Sequence, residues 1–168
     1  VQANAETDAC LVEGGVGIGP GWGGCKEMLI RWFETKKRAG GPMPPVIKAF
    51  ETISTATVAK SAEEAKSLLF FGENTNITMN RDRLLADAKA RALELVRDYS
   101  PPEPVEISLP GLSAKAAMDM AVNGFDKVGK ATAHDVVVSG VLGEVLRGGA
   151  CAYTHLPQPT TIPGTAPG

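Results

Sequence analysis

Glu13 stands four residues ahead of Gly17 and is followed by Pro20-Gly21-Trp22-Gly23-Gly24, after which an amphipathic run begins at Cys25. A carboxylate is a proton donor or acceptor. A glycine-dense turn permits positive φ and close approach of backbone to a ligand. A helix opening after that turn offers unpaired N–H groups and the positive end of its dipole to an electron-rich group. The combination suits placing a proton donor against a bound thioester or phosphate.

Two nucleotide-binding patterns can be weighed on this stretch. A phosphate loop requires Gly-Lys-Ser/Thr, and the chain reads Gly24-Cys25-Lys26-Glu27, so that pattern fails. A dinucleotide fingerprint is formally met by Gly19, Gly21 and Gly24. It also needs a full apolar strand before the glycines and an acid at a second strand end about 20 residues on. Pro20 lies inside the loop instead, and the downstream chain is Lys36-Lys37-Arg38-Ala39-Gly40-Gly41.

The spacing Glu13, Gly17, Pro20-Gly21-x-Gly23-Gly24, then a helix, resembles the second active-site segment of the crotonase (enoyl-CoA hydratase/isomerase) family. Ile77 to Leu95 is similar to the hydratase portion of large bacterial fatty-oxidation proteins, which join a 3-hydroxyacyl-CoA dehydrogenase to a C-terminal crotonase domain. Val58 to Lys66 and Asp135 to Gly149 also look like that subfamily. The resemblance spans Ala5 to Gly149 and is most specific over Leu11–Gly24 and Ile77–Leu95.

The resemblance implies an α/β crotonase-like fold, a ββα spiral, in the parent domain, with this chain mostly α-helical and carrying a few short strands. It implies hydration of a 2-enoyl-CoA, with acyl-CoA as the substrate and partner. Glu13 would be the catalytic acid, and Gly21, Trp22 and Gly23 would be substrate-binding, Gly21 through its N–H. NAD would be needed only by a dehydrogenase domain absent from this chain, and no metal is implied. The oxyanion-hole donors and a first glutamate would lie upstream of Val1, so the missing N-terminal portion of the same domain is an expected partner. Homotrimer formation through C-terminal helices is also implied. Two departures stand out. Trp22 replaces a small residue and would either narrow the acyl pocket or plug the incomplete core, and Gly14-Gly15 replaces an apolar pair.

Composition is that of an ordinary soluble chain: 168 residues, 43% hydrophobic, 21% charged, 5% aromatic, formal net charge −2. That balance gives no electrostatic case for nucleic acid, and no apolar run is long enough for a membrane span. Three cysteines, Cys10, Cys25 and Cys151, are odd in number and widely spaced, which fits a reducing, cytoplasmic setting better than a disulfide framework. Cys25 at a helix start invites a lowered pKa, although a buried structural thiol is the simpler reading. His134 and His155 have no partner at ligand or triad spacing. No secretory leader is read at the start, and the chain, which lacks an initiator methionine and opens inside what resembles a domain, is expected to be a fragment, a processed piece or a partial gene product.

The elements that must position Glu13 follow from pattern. Residues 1–100 read as the C-terminal half of the domain, 101–149 as a helical extension and 150–168 as a Pro-rich flexible tail. Ala9 to Val12 reads as a buried strand. Helices are expected from Cys25 to Arg38, Val46 to Ser54 and Ala62 to Leu69, the last with a Ser61/Glu64 capping box. A long helix from Arg81 to Tyr99, capped by Asn80, carries Leu84, Leu85, Ala88, Ala92, Leu95 and Val96 as its apolar stripe. Its Asp82, Arg83 and Asp87 read as a solvated face. Pro101 to Leu112 reads as extended. Ser113 should cap a helix with Ala116, Ala117, Met120 and Ala121 inward, and Thr132 should cap the last helix. A reading from a different class is a non-catalytic helical assembly module that works through these apolar faces.

Overall fold

A computed structural model describes residues 2–21, 23–35 and 40–148. Helices dominate and the strands are few and short. In chain order they are β1 (Gln2–Asn4), β2 (Ala9–Cys10), α1 (Gly24–Glu34), α2 (Met43–Ser54), β3 (Val58–Ala59), α3 (Ala62–Ser67), β4 (Asn76–Thr78), α4 (Leu84–Val96), α5 (Leu112–Lys127) and α6 (Ala133–Leu146).

The core is helical. Met28 and Leu29 of α1, Val46, Ala49, Phe50 and Ile53 of α2, Ala114 and Met118 of α5, and Leu142 and Leu146 of α6 form one buried cluster, joined by Leu109 from the segment before α5. On α1 the expected stripe is present: Met28 and Leu29 are buried, and Trp32 and Phe33 pack at the cluster's margin. Helix α2 begins at Met43, before its prolines rather than after them. Residues of a first turn have no intrahelical acceptor for their N–H groups, so Pro44 and Pro45 forfeit nothing there. Gly143 of α6 faces Met118 and Phe50, where an added Cβ would lie 3.5 Å from the Met118 methyl carbon. A small residue there lets three helices close on one another.

The buried face of α5 is not the one expected from pattern. Ala114 and Met118 are buried and Val122 packs against the cluster, while Ala116, Ala117, Met120 and Ala121 face solvent. The helix is apolar on several sides, so period alone leaves its rotation open. Contacts with α2 and α6 set it instead. Ser113 does not cap it: Gly111 does, and the Ser113 hydroxyl donates to the Pro110 carbonyl at 2.7 Å. Helix α6 starts with a complete capping box, in which Thr132 and Asp135 each accept from the other's backbone N–H.

Strand β1 pairs in parallel with β4, Gln2 opposite Asn76 and Asn4 opposite Thr78. Thr78 is the knot of this corner. Its hydroxyl receives from Gln2 Nε2 at 2.6 Å and donates to Asp87 Oδ2 at 2.9 Å, while its carbonyl accepts from Asn4 Nδ2 at 3.0 Å. Asp87 therefore holds α4 onto the sheet rather than lying on a purely solvated face. Asn80 caps a 3-10 turn, Arg81–Arg83, before α4 begins. Leu84 and Ala88 are half-buried, but beyond Ala88 every residue of α4 is exposed, so that part of its apolar stripe has no cover among the described residues, and Leu85 is 82% exposed.

Strands β2 and β3 form a two-residue antiparallel pair, Ala9 opposite Ala59 and Cys10 opposite Val58. The run Ala9 to Val12 is thus a short, partly exposed edge and not a buried strand. Helix α3 is capped as expected, Ser61 Oγ accepting from Glu64 N at 3.1 Å. The reciprocal bond is displaced by one residue, with Lys60 N donating to Glu64 Oε2 at 2.7 Å.

Candidate functional site

Strand β2 hands the chain to a 3-10 turn, Glu13–Val16. The Gly17 N–H closes the turn on the Glu13 and Gly14 carbonyls, and Ile18 N donates to Glu13 O at 3.1 Å. Gly17 has φ +79°, in the left-handed region where a Cβ is disfavoured. The loop then runs through Gly19, Pro20 and Gly21 to Gly23, which has φ +111° and starts α1. Glu27 N donates to Gly23 O at 2.9 Å. Leu11 lies on Gly24, where an added Cβ would fall 2.6 Å from Leu11 Cδ2. The glycine loop therefore folds back on itself and returns the Glu13 end of the chain to the N-terminus of α1.

This fold-back puts the Glu13 carboxylate beside Cys25, in the first turn of α1. Burial pushes the Cys25 thiol above its ordinary pKa, and the Glu13 carboxylate pushes it further, against a smaller lowering by a backbone hydrogen bond. Cys25 is therefore a neutral structural thiol at ordinary pH, since a nucleophile would need the thiolate. The Oε2 atom of Glu13 is buried and has no hydrogen-bond partner among the described residues. An unsatisfied buried carboxylate oxygen is costly, on the order of 1–3 kcal/mol or more. The nearby helix N-terminus offsets part of that cost. Such an atom is suited to meet a group on a ligand.

Of the other residues singled out by sequence, Gly21 is exposed and its carbonyl accepts from Gly23 N at 3.0 Å. Gly23 serves as the left-handed N-cap of α1. Trp22 lies outside the described residues, as do Cys151 and His155. A dinucleotide does not fit here. The strand before the glycines is two residues long and antiparallel, where the fingerprint needs a parallel strand feeding the turn. Among the described residues no group of three or more His, Cys, Asp or Glu is arranged to hold a metal, and no helix is long and apolar enough to cross a membrane.

Sequence reasoning missed one participant. His134, in the first turn of α6, places Nε2 2.9 Å from the Gly17 carbonyl oxygen, across 117 residues of chain. No local spacing could have signalled that pairing.

Over 154 residues, 91% of its length, this chain is 36% identical to the "Probable 3-hydroxyacyl-CoA dehydrogenase" of Bacillus subtilis. Over 119 residues, 71% of its length, it is 32% identical to the "Putative fatty acid oxidation complex trifunctional enzyme" of Rickettsia felis. This chain is related to fatty-acid oxidation enzymes. It spans 19% and 15% of those two relatives, about a fifth or less of each. No protein-family model matches it, and no solved structure matches it.

Proposed function

We propose that this chain supplies the Glu13-bearing part of an enoyl-CoA hydratase site within a longer fatty-acid oxidation protein. The observation that carries the reading is the buried, unpartnered Glu13 oxygen, held by a glycine turn at the start of α1. The relatives' names support fatty-acid oxidation as the setting.

Hydration adds water across the carbon–carbon double bond conjugated to the thioester. The hydroxyl oxygen bonds to the β-carbon, and the α-carbon takes a proton. In this reading Glu13 presents the proton at the α-carbon, as a positioned general acid. The thioester oxygen gathers negative charge as the water adds, and backbone N–H donors stabilise it. Those donors, with a second carboxylate to activate the water, come from another segment of the longer polypeptide. The 3-hydroxyacyl-CoA product would pass to its NAD-dependent dehydrogenase portion.

Loss of crotonyl-CoA's conjugated ultraviolet absorbance tests the reading. The chain alone holds one part of the site, so a slow rate above buffer is expected, lost in Glu13→Gln. A rate unaffected by Glu13→Gln overturns the assignment.

A second reading, a helical assembly module, is favoured by a separate observation. The apolar stripe of α4 and the row Val137, Val141 and Val145 on α6 are exposed. Light scattering separates the two readings. An assembly module changes mass with concentration and ignores acyl-CoA, whereas a thioester site binds acyl-CoA at constant mass.

A further inference from the structure

We infer that His134 is a positioning residue for Glu13, clasping the Glu13–Val16 turn from α6 through a hydrogen bond to the Gly17 carbonyl. The inference rests on the reading of Glu13 as the proton-transfer group. A carbonyl oxygen can only accept, so His134 Nε2 carries the hydrogen and the neutral ring is the Nε2–H tautomer. The imidazolium also donates from Nε2, so the clasp persists when the ring is protonated.

Three features make this a built contact rather than a chance approach. The ring lies flush on Gly17, and a Cβ there would fall 2.9 Å from both His134 Cδ2 and Nε2. Gly17 is itself bonded through its N–H to the carbonyls of Glu13 and Gly14. The Gly17 carbonyl shares its peptide group with the Ile18 N–H, which donates to the Glu13 carbonyl at 3.1 Å, so His134, that peptide and the Glu13 backbone form one hydrogen-bonded series. The base of the clasp is stiff, because the reciprocal Thr132–Asp135 capping box brackets His134 on both sides. The glycine-rich turn has little internal packing. Gly14 and Gly15 have nothing within 4 Å of where a Cβ would sit, and Val16 and Ile18 are exposed. An outside anchor is what such a turn needs to hold a carboxylate in one place.

Cys25 reports the placement of Glu13 without any substrate. In a Cys10→Ser/Cys151→Ser background, the rate of Cys25 modification by a small aromatic disulfide is followed against pH, with a thermal melt of each variant. His134→Ala is expected to release the turn, raise the modification rate at fixed pH about fivefold, the scale of one lost hydrogen bond, and lower the titration midpoint. His134→Gln keeps an amide donor and is expected to retain the parent profile. In a Glu13→Gln background, His134→Ala is expected to move the midpoint less than it does in the parent, because only the burial of Cys25 is then left to change. A parent-like profile in His134→Ala overturns the inference. So does His134→Gln behaving as His134→Ala, or a midpoint shift that persists undiminished without the Glu13 charge. Should His134→Ala melt outright, His134→Asn, whose amide is too short to reach the Gly17 carbonyl, takes its place with the same expected rise in rate, and a parent-like profile there overturns the inference. None of these measurements uses a thioester, so a failure to bind acyl-CoA would strike the functional reading and leave the clasp standing.

Discussion

The helical core and the glycine turn are built on opposite terms. In the core, α1, α2, α5 and α6 interlock aliphatic and aromatic side chains, and Val46 and Ala49 are completely buried. In the turn, the backbone bonds to itself, the side chains are mostly hydrogen atoms, and the one buried polar atom of Glu13 is left without a partner. The core converts burial into stability, at roughly 25 cal/mol per Å² of apolar surface. The turn gives up such contacts and leaves a carboxylate oxygen poised. A buried polar atom left without a partner is a candidate for function rather than fold.

Substitutions graded by size can break or sharpen that contrast. Phe50→Ala should cost the most, about 3–5 kcal/mol, because it opens a cavity where α2 meets α5 and α6. Urea unfolding would show this, and a loss near zero would mean that the core is not packed as described. Gly17→Ala should cost about 1–3 kcal/mol. It forces a Cβ into a left-handed conformation and against the His134 ring. A neutral effect would show that the turn is looser than its hydrogen bonds suggest.

Thr132→Ala should cost about 1 kcal/mol, the typical worth of an N-cap. Its partner adds a pH signature. The Thr132 backbone N–H, and then its hydroxyl, hold the Asp135 carboxyl below the ordinary carboxylate range. A depressed folded pKa gives stability that is present above the unfolded value and lost as pH falls through the folded one. The acid limb of the melting profile, from about pH 4 downward, should therefore be shallower in Asp135→Ala than in the parent. The smallest change is expected at Leu85→Gln on α4. It should stay within about 0.5 kcal/mol, since that side chain touches little. A large loss there would mean that the α4 stripe is covered in solution.

The legible parts of the sequence were those written locally. The Ser61 and Thr132 caps depend on residues three apart, and both are seen. The glycine turn ahead of α1 was likewise legible, because one short segment carries all of it. What failed depends on distance. The pairing of β1 with β4 joins strands of three residues about seventy positions apart, too short for alternation to register. The rotation of α5 is decided by neighbours from α2 and α6, not by its own pattern. The stripe on α4 is real as a pattern yet beyond Ala88 it faces solvent, because pattern says that a face is apolar and not that anything lies against it. His134 reads as incidental for the same reason: its acceptor is a backbone carbonyl on a distant turn.

The contrast between turn and core rests on whether Glu13 serves a ligand or the fold. Calorimetric titration of crotonyl-CoA into the parent chain and Glu13→Gln, with a melt of each, tests it most directly. Saturable binding to the parent is expected, with weaker binding to Glu13→Gln and a melt in the variant no lower than the parent's. No binding to the parent, or a Glu13→Gln chain that binds equally well or melts at a lower temperature, would contradict it.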